Sequence, residues 1–504
     1  MEESKRFRNH FSIVFERLGA GFVAFSMIFL YEGAELLREI GMVLKDIENL
    51  GEELFAILLV ALGIILLFAM LAGLQIFRWA KTWISIQEQA IVIEVNTLKR
   101  KKNTIGIKNI SNINLEQNLF EMLMGTCKVK MDTNSMSTAD STDVQIVLKK
   151  NQAQEFRNLI LGMIDENQSF THNDDCGGKD IQKESCDSSG RGAGIEEMLM
   201  QGIFSLKLIS IPLVILSIIG VSRTISEVMQ EGTGAEGIIS VLSSILIIGM
   251  FGVSVFWDIV KGFIRYYGFQ IYRLEDRLYI SYGLIKKVSY TIPIDKINAV
   301  KLVQSPQARV AGKYMAELIN VGLGDDEKEE QSFFLIYDKK ERVIERIRQL
   351  LPEFADDLDM EVYRQSPKVW MIWIWPAFIY LAVVAAGLMI LSGFMSEEFL
   401  IVIAVIATIT VLVMMYVVGN YFTRGYCVGE KSLKLVDGNF GRSILVVKYP
   451  KIQYMETKQS FIAKYFGVQK GSIYLLASTK NRIHTIPYFP EKEVEIIRER
   501  IVRR

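Results

Sequence analysis

Three uncharged hydrophobic runs interrupt an otherwise mixed pattern: Leu54–Phe77, Ile238–Trp257 and Phe399–Val418. Each is long enough to cross a hydrocarbon core, which takes about 20 apolar residues in a helix. A weaker run precedes each one, at Phe11–Tyr31, Ile203–Val221 and Val369–Leu391. Glu16 and Arg17 sit near the start of the first weaker run, and Lys207 and Pro212 sit within the second. Such groups snorkel or pack between helices. The third weaker run is the cleanest, with Trp370, Trp373 and Trp375 at one end as interface anchors. The pattern predicts six spans arranged as three hairpins.

After each strong run the period changes from helical to twofold. Phe269–Leu274 alternates apolar and polar residues and resumes at Leu278–Tyr282, which predicts a hairpin. Gly283 marks the next turn, and Asp437-Gly438 does so near the end of the chain, where tight hairpins favour that pair. Further short strands are expected at Ile297–Val303, Ala316–Leu323 and Phe333–Tyr337. Amphipathic helices then follow. Their stripes are Phe156, Leu159, Ile160 and Met163, then Val343, Ile344, Ile347 and Leu351, then Val494, Ile497 and Ile501 after Pro490. Asn151 and Asp338 are the expected N-caps of the first two. Several antiparallel strands closed by one helix predict a small barrel or sandwich plugged by that helix.

A spaced signature shows that these elements are one unit written three times. It reads Ile110, Ile113, Gln117, Asn118 and Gly125; then Ile297, Val300, Gln304, Ser305 and Gly312; then Ile452, Met455, Gln459, Ser460 and Gly467. The copies are offset by 187 and 155 residues, and the same offsets carry the start of the Leu54 run onto Val241 and Ser396. A shared register across apolar and polar features indicates duplication of a whole unit. The expected organisation is hairpin 1 over 1–80, module 1 over 81–165, a polar disordered linker over 166–200, hairpin 2 over 201–264, module 2 over 265–355, hairpin 3 over 356–421 and module 3 over 422–504. The fold class is an α+β membrane protein.

Composition adds constraints. Half of the 504 residues are hydrophobic yet 23% are charged, as expected for spans interleaved with soluble modules. Net charge is zero, which gives no argument for nucleic acid. Cys127, Cys176, Cys186 and Cys427 are scattered and form no disulfide framework. The basic start, with Lys5, Arg6 and Arg8, lacks a small-residue cleavage site after it, which fits an uncleaved first span. Arg78, Lys81, Lys261, Arg265 and Arg424 follow the strong runs, whereas the connections inside the hairpins are acidic. The bias predicts a multi-pass cell-membrane protein with both termini and all three modules in the cytoplasm.

No catalytic constellation is present. His10, His172 and His484 form no metal-spaced pair, and His172, Cys176 and Cys186 match no zinc spacing. No phosphate-binding glycine loop follows a strand; Arg191–Gly194 is glycine-rich without one. No enzymatic activity, cofactor or metal is expected. The run Lys99, Arg100, Lys101 and Lys102 has two readings, a contact for anionic headgroups or a solvated hairpin tip. Lys286 and Lys287 hold the corresponding place in copy two. Gln304, Ser305 and Arg309 form the best-preserved copy of the signature and are candidate lipid or partner contacts. Gln117, Gly125, Gln304, Gly312, Gln459 and Gly467 recur where other signature residues are lost, and are read as fold-maintaining: Gln tying a strand end, Gly permitting a positive φ.

Ile292, Pro293, Lys296, Ile297, Val300, Gln304, Ser305, Arg309 and Gly312 together resemble the signature of bacterial pleckstrin-homology-like membrane proteins of the second bacterial PH type. Long members with three hairpin-plus-module units, the YdbT-type transmembrane proteins, are similar over nearly the whole chain. Copy one lacks the Pro and the Arg and has Asn118 for the Ser; copy three has Pro450 displaced and Lys464 where copy two has Arg309. The resemblance implies a PH-like barrel with a C-terminal helix in each unit and a non-enzymatic role in organising or protecting the envelope. Membrane lipids and other membrane proteins are the implied partners, a smaller family member or a second copy of the chain among them. The alternative is a transporter or lipid-moving protein using the six-helix bundle. Against it, the strong runs hold no charge, and conduction paths usually contain ionisable groups.

Overall fold

The computed structural model describes residues 6–19, 50–133, 144–169, 194–206, 218–226, 235–320, 333–391 and 399–502, less the single positions 88, 98, 224 and 478. It forms two compact units, one of Met1–Met131 with Asp143–Gln182 and the other of Lys183–Arg504 with Asp132–Thr142.

The first unit opens with β1 (Arg6–Phe7), a helical stretch at 12–19 and the long helix α1 (Leu50–Ala80). Strands β2 (Thr82–Gln87), β3 (Ala90–Asn96) and β4 (Arg100–Gly106) follow, giving the order β1-β2-β3-β4. Then come β5 (Ile110–Gln117), the short α2 (Leu119–Met124), β6 (Thr126–Thr133), β7 (Val144–Lys149) and α3 (Lys150–Ser169). Alternation drives the packing. Ile84, Ile91, Ile113, Val129 and Ile146 point inward, and Phe156 and Ile160, four apart on α3, plug the space between the sheets. A fully buried Phe of this kind stabilises by roughly 2–3 kcal/mol.

Two expectations need correction here. The stretch 1–80, expected as a hairpin, also supplies a strand: β1 extends the sheet of module 1 through Phe7↔Ile84, and Phe7 meets Phe156 edge-on at 5.1 Å. Asn151 is no N-cap, because β7 passes directly into α3, leaving Asn151 as its second residue. The backbone N–H of Lys150 donates instead to the carbonyl of Gly125 at 3.2 Å.

The second unit holds α4 (Ile195–Phe204), α5 (Ala235–Tyr266), β8 (Gln270–Leu274), β9 (Arg277–Tyr282), β10 (Lys287–Pro293), β11 (Ala299–Gln304), α6 (Pro306–Val310), β12 (Lys313–Ile319), β13 (Phe333–Lys339), α7 (Lys340–Leu350) and α8 (Pro352–Asp359). After β14 (Tyr363–Arg364) come α9 (Val369–Leu391) and α10 (Phe399–Thr423). Module 3 is β15 (Gly425–Val428), β16 (Ser432–Asp437), β17 (Arg442–Lys448), β18 (Ile452–Lys458), α11 (Phe461–Tyr465), β19 (Val468–Leu475), β20 (Ile483–Pro490) and α12 (Glu491–Val502). Strands β4, β10 and β17 begin and end at the 187 and 155 offsets, so the sequence ruler is also a structural one.

Asp338 is the second corrected N-cap. It lies in β13, one residue outside the cap, where its carboxylate accepts from the Lys339 N–H at 2.7 Å and faces Lys313 and Arg342. The expected linker over 166–200 is shorter at both ends. Helix α3 runs to Ser169 and α4 starts at Ile195, while residues 170–193, with His172, Cys176 and Cys186, lie outside the described residues. Helix α4 belongs to module 2. It crosses α5 at Gly202 and Gly262, where a Cβ on either would lie 2.7 Å from backbone, so only glycine allows this approach.

Among the described residues three helices are long and apolar enough to cross a membrane, over Val241–Tyr266, Val369–Ile390 and Ile406–Thr423. The Leu54–Phe77 run is one continuous helix within α1. Most of the first and second weaker runs, including Lys207 and Pro212, lies outside the described residues.

Modules 2 and 3 do not close separately. One seven-stranded sheet runs β13-β12-β11-β17-β16-β15-β14, joined by β11 against β17 from Ala299↔Val447 to Gln304↔Arg442. Strand β17 is therefore buried on both faces: Ile444 and Val446 enter the core of module 2, Leu445 and Val447 that of module 3. This accounts for its unbroken apolar run, since a strand covered on both sides has no polar face to show. The remaining strands form β8-β9-β10 and β18-β19-β20.

Candidate functional site

The signature Gln makes the same bond three times. Its Nε2 donates to the carbonyl of the residue after the signature Gly: Gln117 to Thr126 at 2.8 Å, Gln304 to Lys313 at 3.1 Å and Gln459 to Val468 at 3.2 Å. Between them lies a short helix followed by a glycine at φ +64°, +64° and +65° in Gly125, Gly312 and Gly467. The Gln side chain thus clamps the two strand ends that the short helix separates, and glycine ends that helix in the left-handed region. Ser305 and Ser460 cap α6 and α11 by accepting from the Ala308 and Ala463 N–H groups, each at 3.2 Å. In copy one Glu121 reaches back to the Asn118 N–H at 2.8 Å.

Arg309, a candidate contact in the sequence, faces module 3. Its guanidinium donates to the Asn439 carbonyl at 2.8 Å, with Phe440 and Thr423 nearby at 3.3 and 3.4 Å. Gly441 permits this closeness, because a Cβ there would lie 2.7 Å from the Gln304 carbonyl. The Gln304, Ser305 and Arg309 group is therefore engaged within the chain, at the joint between two modules.

The basic cluster sits at the tip of the β3–β4 hairpin. Lys99 is in the turn, and the exposed Arg100, Lys101 and Lys102 open β4 opposite Asn96, Val95 and Glu94, on a strand at the edge of its four-stranded sheet. Lys102 lies 3.4 Å from Glu94. Lys286 precedes β10 and Lys287 starts it. Lys at an edge blocks strand addition by another chain. In the second unit, β18 is an edge strand of the sheet β18-β19-β20 and carries Glu456 and Lys458.

The structure supplies no activated nucleophile at the described cysteines. Burial and the nearby Glu121 and Glu116 push the Cys127 thiol up to about 11, and burial raises Cys427 as well. Burial, with Lys301 nearby, pushes His484 down to about 4, so it is neutral at neutral pH. Among the described residues no group of three His, Cys, Asp or Glu is placed to hold a metal ion.

Sequence reading missed a set of groups where the first helix of each hairpin meets its module. In copy one Lys128 pairs with Glu16 and, at 3.2 Å, with Glu121. In copy two the matching residue is Met315, whose sulfur receives the buried Gln201 amide at 3.2 Å. In copy three it is Lys470. The offsets that align the signature would have found this column.

A model of the bacterial PH domain matches the chain three times, at residues 36–164, 208–350 and 376–504. The chain belongs to the bacterial PH domain family. Each match of that family takes in one long apolar helix, α1, α5 or α10, and runs into the closing helix of its module, so the repeating bacterial PH unit here includes that helix as well as the strands. The chain is also similar to the transmembrane protein YdbT of Bacillus subtilis (strain 168), with 22% identity over 446 residues covering 84% of each. No solved structure matches it. This bacterial PH protein is a transmembrane protein with three PH-like repeats.

Proposed function

We propose that the chain organises or protects the cell envelope without catalysis, using its PH-like modules as a cytoplasmic scaffold for lipid and protein contacts. The observation that carries this reading is the sheet shared by modules 2 and 3. A continuous sheet with shared cores and the Arg309 clamp holds two modules at one fixed geometry. A fixed spacing of binding surfaces suits a scaffold, and PH-related barrels also bind peptides by strand addition. Six spans and cytoplasmic modules complete the proposal, supported by Arg78, Lys81, Lys261, Arg265 and Arg424 after the strong runs.

The test is site-specific photocrosslinking in intact cells from module positions such as Thr104 and Thr457, combined with cysteine labelling from outside at the hairpin loops. A scaffold gives discrete adducts to membrane proteins at module positions and external labelling only at the loops. Turnover of a substrate by the purified chain, or a solute flux in proteoliposomes that Lys207→Ala abolishes, would overturn it in favour of an enzyme or the six-helix transporter.

A further inference from the structure

Where α9 starts and α10 ends, a cavity of about 350 Å³ opens between hairpin 3 and module 3. Its wall is mostly apolar, with Ile372, Trp373 and Trp375 from the first turns of α9 and Tyr488 from β20. Two cations, Arg424 and Lys470, also line it. Arg424 uses its Nε for Asp437 at 2.7 Å and lies over Trp373 at 5.2 Å. Lys470 lies 5.9 Å from the Tyr488 ring and meets no carboxylate among the described residues. Trp373 has a buried indole N–H without an acceptor.

The three copies show what this position requires. Copy one places a lysine there, Lys128, and neutralises it with Glu16 and Glu121. Copy two removes the charge and seals the place. Met315 meets Gln201, Gln201 also accepts from the Tyr337 N–H at 3.0 Å, and Phe204 packs edge-on to Tyr337 at 5.3 Å. Copy three keeps the lysine but has Ala463 where copy one has Glu121. A second cation, Arg424, lines the same space. The carboxylate that faces the buried lysine in copy one is absent from copy three, where Lys470 is exposed and reaches the cavity from its solvent side.

We infer that this cavity binds the anionic phosphate headgroup of a membrane phospholipid, with its acyl chain along Ile372 and Trp375. Charge complementarity selects the phosphate, and the apolar wall at the end of two membrane helices selects a lipid over a free anion. The inference deepens the lipid-contact part of the proposed function and rests on it for the source of the ligand.

The test is native mass spectrometry of the full-length chain, titrated with phosphatidylglycerol and with phosphatidylcholine of the same acyl chains, and with inorganic phosphate as competitor. The wild type retains phosphatidylglycerol preferentially, and inorganic phosphate does not displace it. Lys470→Met, the side chain copy two has there, lowers that preference about fivefold, the effect of one near-surface cation, while Lys470→Arg keeps it. Ala463→Glu restores the carboxylate of copy one and lowers the preference with the lysine still present. Equal binding of both lipids, wild-type preference in Lys470→Met, or full displacement by inorganic phosphate overturns the inference. None of these outcomes changes the crosslinks from Thr104 and Thr457, so the scaffold reading stands or falls separately.

Discussion

At the scale of single residues, the signature is a clamp. Its Gln crosses the short helix to the carbonyl just beyond Gly in all three copies, so Gln and Gly act as a pair across one structural device. Gln304→Ala leaves the Lys313 carbonyl, in a mostly buried joint, without that donor, which costs about 1–3 kcal/mol. Thermal melting of the full-length chain in detergent should show a lowered midpoint, and an unchanged midpoint would refute the clamp. The substitution Gly312→Ala acts differently. Nothing lies within 4 Å of the added Cβ, so its cost of about 1–2 kcal/mol comes only from the left-handed backbone.

At the scale of elements, β4 and β17 occupy the same place in copies one and three and differ in what they pair with. Ile444–Val447 is apolar on both faces and sits between two cores; its counterpart Lys102–Ile105 is mostly polar and sits at a sheet edge. Replacing Lys102, Asn103 and Thr104 with Ile, Leu and Val removes the charge that guards this edge. Light scattering after gel filtration should then report larger assemblies than the wild type, and an unchanged mass would contradict a guarding role. The long described helices and most strands were legible because their signals are local: an uncharged run gave α10, and alternation gave β8 and β9. The caps at Asn151 and Asp338 misled, because strands pass straight into the closing helices and leave no separate cap residue. Strand β17 could be read as buried, but its partner β11 lies about 140 residues earlier, beyond the reach of any local pattern. The Lys128, Met315 and Lys470 column was hidden for a related reason. Its meaning depends on Glu16 and Gln201, which come from helices outside the aligned signature.

For the whole molecule, modules 2 and 3 form one cooperative block. Truncation after residue 355 removes β17, exposing the β11 edge and the apolar surface that Ile444 and Val446 cover. The truncated chain should be degraded rapidly in cells and cleaved near β11 by limited proteolysis, while the full chain resists. Equal resistance would show that module 2 closes alone. The same shared strand sets a schedule for synthesis. Between the emergence of β11 and that of β17 the ribosome adds about 140 residues, including all of α9 and α10. At roughly 5–20 residues per second this interval lasts on the order of 10–30 s. In the six-span arrangement proposed above, module 2 waits throughout it with an open edge while α9 and α10 are inserted. That arrangement ties completion of the shared sheet to membrane insertion, and a stall in one leaves the other unfinished.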